Sequence, residues 1–180
     1  MTPAIQPFAL VIHGGAGVIE CDQLSATEEE SILRELDAAL DAGKAVLAQG
    51  GSALDAVQAA VVALEESPRF NAGKGSVYNA EGRHELDASL MEGHTRRAGA
   101  VAGVETIRNP VKLARAVMEN SPHVMMISAG AELFADTQPH IERVSNDWFD
   151  TATRRAQLDQ EQARERAAAD ADNLRGNYFG

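Results

Sequence analysis

A mixed fold of helices and sheet, α/β or α+β, is what this sequence predicts, on three observations. Two long stretches with helical spacing of apolar residues each open on a Ser-x-x-acid pattern, Ser25 to Glu28 and Ser52 to Asp55. Two short apolar runs, Phe8–Ile12 and His123–Ile127, have the length of buried strands. Leu86, Ala88 and Leu90 alternate with Asp87, Ser89 and Met91, and after a turn at Gly93-His94 comes the small-residue run Ala98–Val104, the pattern of an antiparallel hairpin. The 180 residues suffice for one domain with a real core.

Composition narrows the class. Aromatic residues make up only 4% of the chain, so the core must be built from Ala, Val, Leu and Ile. A net charge of −11 argues against a nucleic-acid or anionic-membrane partner. Cys21 is the only cysteine, which excludes an intrachain disulfide, and nothing around it marks a catalytic thiol. The first residues lack the basic stretch of a signal peptide, and Phe8–Ile12 is far too short to span a bilayer. A cytoplasmic protein is expected.

In chain order, the Ser25–Glu28 capping box predicts a helix through about Gln49, with Leu33, Leu36, Leu40, Ala45, Val46 and Leu47 as its apolar face. Gly43 weakens its middle by about 1 kcal/mol relative to Ala, and Gly50-Gly51 ends it. Ser52 and Asp55 form a second capping box; Leu54, Val57, Val61, Val62 and Leu64 continue that helix to about Glu66, on an Ala/Val face suited to packing on a sheet. Ser67-Pro68-Arg69 stops it. The run Ala98–Val104 is so small that something must pack very close to it. Asn109-Pro110 is a helix start, with Val111, Leu113, Ala114, Val117 and Met118 as the buried stripe to about Asn120. A short helix over Ala129–Ala135 and an anchor at Trp148-Phe149 complete residues 1–150. Residues 151–176 are mostly Ala, Arg, Glu, Gln and Asp without an apolar stripe; a free-standing helix is compatible with them, but they read as a mobile, solvated linker. Aromatics return in the final segment, 177–180.

Two glycine-rich loops stand out. His13-Gly14-Gly15-Ala16-Gly17 follows the first apolar run, and Phe70-Asn71-Ala72-Gly73-Lys74-Gly75-Ser76 follows the second helix. Successive glycines let main-chain N–H groups converge on an anion or a developing oxyanion, although a tight turn without chemistry would use the same residues. No Gly-Lys-Ser/Thr follows the first loop, which disfavours a phosphate loop of the Walker type. The histidines at 13, 84, 94, 123 and 140 show no i,i+4 pairing and no HExxH arrangement, which disfavours catalytic zinc. No Gly-x-Ser-x-Gly elbow supports a hydrolase serine. On these residues alone, two backbone-lined loops flank one centre and no reaction is named.

Four stretches together name a family. Leu10–Gly17, Leu64–Gly75, His84–Ser89 and Asn109-Pro110 through Ser121-Pro122-His123-Val124 resemble, in order over roughly residues 8–150, the α-subunit of the plant-type L-asparaginase/isoaspartyl aminopeptidase family of N-terminal nucleophile hydrolases. The resemblance implies an αββα sandwich of four layers, α+β in class, to which this chain contributes the α-subunit half. It implies that a precursor cuts itself between a Gly and a Thr, with Gly180 in the Gly position, and that the Thr begins a β-subunit. The assembly implied is a dimer of αβ heterodimers, acting on asparagine and β-aspartyl dipeptides.

The resemblance also assigns roles. Gly14 and Gly15 lie in the glycine loop beside the nucleophile, and Asn71 is a positioning or oxyanion-supporting residue near it. The main-chain carbonyls of Leu64, Glu65, Ser67, Phe70, Ala72 and Lys74 match a loop that binds sodium in relatives; there, only the carbonyls of Ser67 and Lys74 would be used. No organic cofactor is implied. The nucleophile, the substrate-gripping Arg and Asp and the main oxyanion donors belong to the β-subunit, so the chain alone is expected to be inactive. A glycosylasparaginase-like amidase is a rival within the fold, and a non-catalytic fragment or interaction module is a rival outside it.

Overall fold

Helix starts marked by polar residues in the sequence are helix starts in the computed structural model, which describes residues 7–15 and 24–176. Ala16, Gly17, Cys21 and the segment 177–180 with Gly180 lie outside the described residues. Helix α1 (Ala26–Ala48) opens on a complete capping box: Ser25 Oγ accepts from the Glu28 N–H, and the Glu28 carboxylate accepts from the Ser25 N–H. At α2 (Ala53–Glu66) only half the box forms. Ser52 Oγ accepts from the Asp55 N–H at 3.1 Å, but the Asp55 carboxylate takes the Ser52 hydroxyl instead of its N–H. Aspartate is one methylene too short for the reach that glutamate makes.

The two helices pack on each other, and the line of contact differs from the expected faces. Leu33 and Ala45 are exposed, and the buried positions of α1 are Ala39 and Gly43. A Cβ on Gly43 would lie 2.9 Å from the Ala56 carbonyl oxygen and 2.6 Å from Leu10 Cδ2. The glycine that weakens the helix in isolation is thus the point where the α2 backbone crosses it. On α2 the buried small residues are Ala56 and Ala60, while Val57 is partly exposed. Among the described residues α2 packs chiefly on α1, not on the sheet.

The sheet has three strands in the order β1 (Leu86–Met91), β2 (Ala98–Val104) and β3 (Met125–Ile127). The first pair is the antiparallel hairpin, with a register irregularity between Leu86 and Ala88, and β3 runs parallel to β2. Helix α3 (Pro110–Asn120) lies across one face. The smallness of β2 has its cause here: a Cβ on Gly99 would sit 2.1 Å from the Ala114 carbonyl oxygen of α3. Leu86, Leu90, Val101 and Val104 from the sheet join Leu113, Val117 and Met118 from α3 in the larger core. Burying each such large side chain stabilises the fold by about 1.5–3 kcal/mol. Phe149, wholly buried, closes its edge as expected, and Ala131 and Ala135 of α4 (Ser128–Ala135) pack into it.

Two expected strands come out differently. Phe8–Ile12 forms no strand: it has no regular structure and Val11 is 88% exposed, because no described segment offers it a ladder partner. His123–Ile127 does contribute β3, but Met125 and Ile127 are 53% and 60% exposed instead of buried. These two side chains share a sheet face with Ala100 and Ala102, their register partners, and no described element covers it. Residues 152–176, read as a linker though compatible with a free-standing helix, form one long helix, α5 (Ala152–Gly176), mostly exposed over residues 152–169. No described helix is long and apolar enough to cross a membrane.

Candidate active site

The two glycine-rich loops meet. A Cβ on Gly14 would lie 2.9 Å from Leu36 Cδ2 and 3.3 Å from Phe70 Cε1, so the first loop rests on the aromatic residue that opens the second. Ile12 packs on the same small cluster, built from Ala39, Leu64 and Phe70. Gly15 adopts φ +125°, and its N–H turns back to His13 Nδ1 at 3.2 Å. This first loop is exposed throughout residues 13–15.

The second loop is wound on itself. After α2 ends at Ser67, the chain returns to a single 3₁₀ turn at Gly73–Gly75. Gly73 has φ +50°, and a Cβ there would stand 2.2 Å from the Glu65 carbonyl oxygen. A Cβ on Gly75 would stand 2.1 Å from the Phe70 carbonyl oxygen. Both glycines exist because backbone passes where a side chain would begin. The Leu64 and Ala72 carbonyls each accept one N–H, from Ser67 at 3.2 Å and Gly75 at 3.1 Å, and each keeps a second lone pair. Main-chain carbonyl oxygens are the donor type that suits a hard monovalent cation, the group that the resemblance implies for Leu64, Glu65, Ser67, Phe70, Ala72 and Lys74.

Two side chains expected to be idle are engaged. Lys74 Nζ donates to the Trp148 carbonyl at 3.1 Å and lies 4.5 Å from the centre of its indole ring, while the Arg108 guanidinium lies 5.0 Å from the same ring. Lys74 therefore contributes more than its carbonyl. Ser67 Oγ accepts from the Arg69 N–H at 3.2 Å, stabilising the turn that stops α2.

At the root of the loop, two adjacent carboxylates take opposite roles. Glu66 pairs with the Arg108 guanidinium through both oxygens at 3.0 Å and accepts from Asn109 Nδ2. Burial acts to raise its pKa, but Arg108 and Asn109 outweigh it and hold the carboxyl below its ordinary value. Glu65 is 3% exposed and its Oε1 accepts the Val111 N–H at 2.9 Å, which caps α3; its Oε2 has no partner. Asn109, expected as the cap of α3, instead bonds Glu66 and Lys112. Burial pushes the Glu65 carboxyl up to about 7, only partly offset by the Val111 N–H.

Asn71 is exposed at the tip, and its orientation can be read from one bond. Oδ1 accepts the Val77 N–H at 2.9 Å, which leaves the amide nitrogen as a donor with no hydrogen-bond partner among the described residues. Just behind it lies an arrangement that the sequence did not disclose. Ser76 Oγ is 2.9 Å from His84 Nδ1, and His84 Nε2 is 3.1 Å from Asp150 Oδ1. His84 is wholly buried, its ring 4.1 Å from that of Tyr78. Burial would raise the Asp150 pKa, but the Tyr78 hydroxyl, the His84 ring and Arg155 hold it below its ordinary value, so Nε2 is the donor to a carboxylate. Ser76 is buried, at 4% exposure, so the geometry braces a loop and does not present a nucleophile. Arg154, from the first turn of α5, adds a bond from Nε to the Gly75 carbonyl at 2.7 Å. No signal in the low-hydropathy 151–176 stretch could have marked it.

Comparison with known proteins agrees with these motifs. A family model described as Asparaginase matches residues 5–178. The chain is 52% identical to the isoaspartyl peptidase of Escherichia coli over 149 residues, covering 83% of this chain and 46% of that protein. It is 50% identical to the isoaspartyl peptidase of Salmonella typhimurium, over 83% of this chain and 47% of the relative. With the isoaspartyl peptidase/L-asparaginase of Homo sapiens it shares 47% identity, over 73% of this chain and 41% of the relative. The chain thus spans somewhat less than half the length of the curated relatives it matches. On the family match and on these identities, the chain belongs to the asparaginase family.

Proposed function

We propose that this chain is the α-subunit half of a Thr-dependent amidohydrolase that cleaves isoaspartyl (β-aspartyl) dipeptides and L-asparagine. The observation that carries it is the 52% identity to an isoaspartyl peptidase over 83% of this chain but only 46% of that relative. The remaining part of such a protein would supply the nucleophile. Two features of the structure support the division. No described element covers the face of the sheet opposite α3 at Met125 and Ile127, where a second sheet of an αββα sandwich would lie. The amide nitrogen of the exposed Asn71 is a donor with no hydrogen-bond partner among the described residues, as support of an oxyanion on a neighbouring subunit requires.

In the proposed chemistry the precursor is cut after Gly180. The Thr hydroxyl attacks the Gly carbonyl, the peptide becomes an ester, and water releases the new N-terminus. The freed α-amine, with a reference pKa near 8, takes the hydroxyl proton when the same oxygen attacks substrate. The side chain of Asn71 would donate to the tetrahedral oxygen, and Gly14 and Gly15 would let backbone approach without a Cβ in the way. Sodium, held by the carbonyls of Leu64, Glu65, Ser67, Phe70, Ala72 and Lys74, would neutralise their converging dipoles and stiffen the loop. A dimer of αβ heterodimers in the cytoplasm is the assembly proposed.

Intact-mass spectrometry of the full-length protein tests this. A species ending at Gly180 should appear together with a Thr-initiated partner, and amidase activity should rise with them. Activity that develops without any cleavage would overturn the scheme. For sodium, replacing it with a bulky organic cation should lower the thermal midpoint; an unchanged midpoint would remove the ion from the account.

A further inference from the structure

Trp148, Asp150 and Arg154 straddle the point where sequence composition changes from domain to linker, yet all three reach back to the stretch that follows Asn71. The Trp148 carbonyl accepts from Lys74 Nζ at 3.1 Å. Asp150 accepts from His84, whose other nitrogen meets Ser76 Oγ. Arg154 Nε donates to the Gly75 carbonyl at 2.7 Å. Three consecutive residues, 74, 75 and 76, are thereby tied from one side.

The next residue decides why this matters. Val77 gives its N–H to Asn71 Oδ1, the one hydrogen bond of the Asn71 side chain among the described residues. Val77 is partly exposed and belongs to no helix or strand, so its N–H is placed only as well as Gly75 and Ser76 before it. An exposed amide held by one bond would otherwise exchange rotamers within nanoseconds. Arg154 is half-buried, and among the described residues its guanidinium has no carboxylate partner; besides the Gly75 carbonyl it bonds only the Gln157 amide oxygen, at 2.9 Å. A guanidinium desolvated toward a main-chain carbonyl is poorly explained as an ion pair and well explained as a brace.

We propose that Trp148–Arg154 is a positioning strap, with His84, Asp150 and Arg154 as positioning residues that act through Gly75, Ser76 and Val77 to aim the Asn71 amide. This rests on the proposed role of Asn71 in the active centre. It also moves a boundary: the first turn of α5, which carries Arg154, belongs functionally to the loop.

The test uses the full-length protein and reads the Val77 amide directly by hydrogen exchange, alongside kcat and KM for asparagine. Arg154→Met should speed exchange at Val77 by about tenfold while amides in α3 stay protected. It should lower kcat by about tenfold with KM changed less than about twofold, and Arg154→Lys, which keeps a donor, should recover most of the loss. Wild-type Val77 exchange and wild-type kcat in Arg154→Met, with only a lower thermal midpoint, would overturn the strap. If Arg154→Met does not fold, Asp150→Ala at the exposed end of the relay takes its place: Val77 exchange faster by about threefold supports the strap and unchanged exchange overturns it. Asn71→Ala separates the two levels. Unchanged kcat there would contradict the role of Asn71 in catalysis, while Val77 exchange in the Arg154 variant still decides the strap.

Discussion

The two glycine-rich loops touch at Gly14 and Phe70, yet they are built on opposite terms. In the Phe70–Ser76 loop, Gly73 and Gly75 are required because a Cβ would stand 2.2 Å from the Glu65 carbonyl oxygen at the end of α2 and 2.1 Å from the Phe70 carbonyl oxygen of the loop itself. In the His13–Gly15 loop, Gly15 is favoured by φ: among the described residues nothing lies within 4 Å of its absent Cβ. One loop is glycine-rich so that backbone can pack on backbone; the other so that an exposed chain can turn. A count of glycines cannot tell these apart.

Substitutions can break or sharpen this contrast. Gly75→Ala should be the most damaging, at about 3 kcal/mol or more, because the obstructing atom is backbone and cannot swing aside. A urea unfolding midpoint near wild type would mean that the loop is not closed as described. Next comes a pH effect at the root of the second loop. Burial lifts the Glu65 carboxyl from an ordinary value of 4.5 to about 7. The folded chain then holds a proton that the unfolded chain has released, so this part of stability is complete below about pH 4.5 and is lost as pH rises through about 7. Between about pH 5 and 8 the protein should lose about 2 kcal/mol that Glu65→Gln does not lose, read from urea midpoints across that range. A parallel loss in the variant would assign the slope to another group.

Lys74→Met removes the bond to the Trp148 carbonyl and the contact with its ring, and should cost about 1 kcal/mol. No change in thermal midpoint would return Lys74 to the role of a carbonyl alone. The smallest effect belongs to Gly15→Ala. The strain of a positive φ is real, but an exposed segment outside any strand can relax, so the expected cost is at most about 1 kcal/mol. A larger cost would show that the first loop is as constrained as the second.

Much of the fold was legible because local rules decide it. The capping box at Ser25 and Glu28, the Pro110 start of α3 and the Leu86–Leu90 alternation each act over a few residues, and each held. The failures have one cause. Phe8–Ile12 and His123–Ile127 read as buried strands because apolar runs normally are, but full burial needs a partner surface on both sides, and the described residues cover only one, at Ile12 and at Met126. Leu33 and Val57 misled for the same reason: propensity marks an apolar face without saying what covers it.

The candidate site was legible only as motif. Asn71 and the loop carbonyls came from resemblance, and the structure adds where they stand. The Ser76–His84–Asp150 relay links residues far apart in sequence, and Arg154 sits in a stretch whose composition suggests solvent. Neither leaves a spacing signal. Glu65 is equally silent, since an acidic pair at a helix end is usually solvated and here one member caps α3 from inside.

The central claim is that this chain supplies scaffold and Asn71 but not the nucleophile. It is tested most directly by assaying aspartate release from a β-aspartyl dipeptide with residues 1–180 alone and after reconstitution with the Thr-initiated remainder of the protein. The account expects no release above background from the chain alone and release on reconstitution. Turnover by residues 1–180 alone would contradict it.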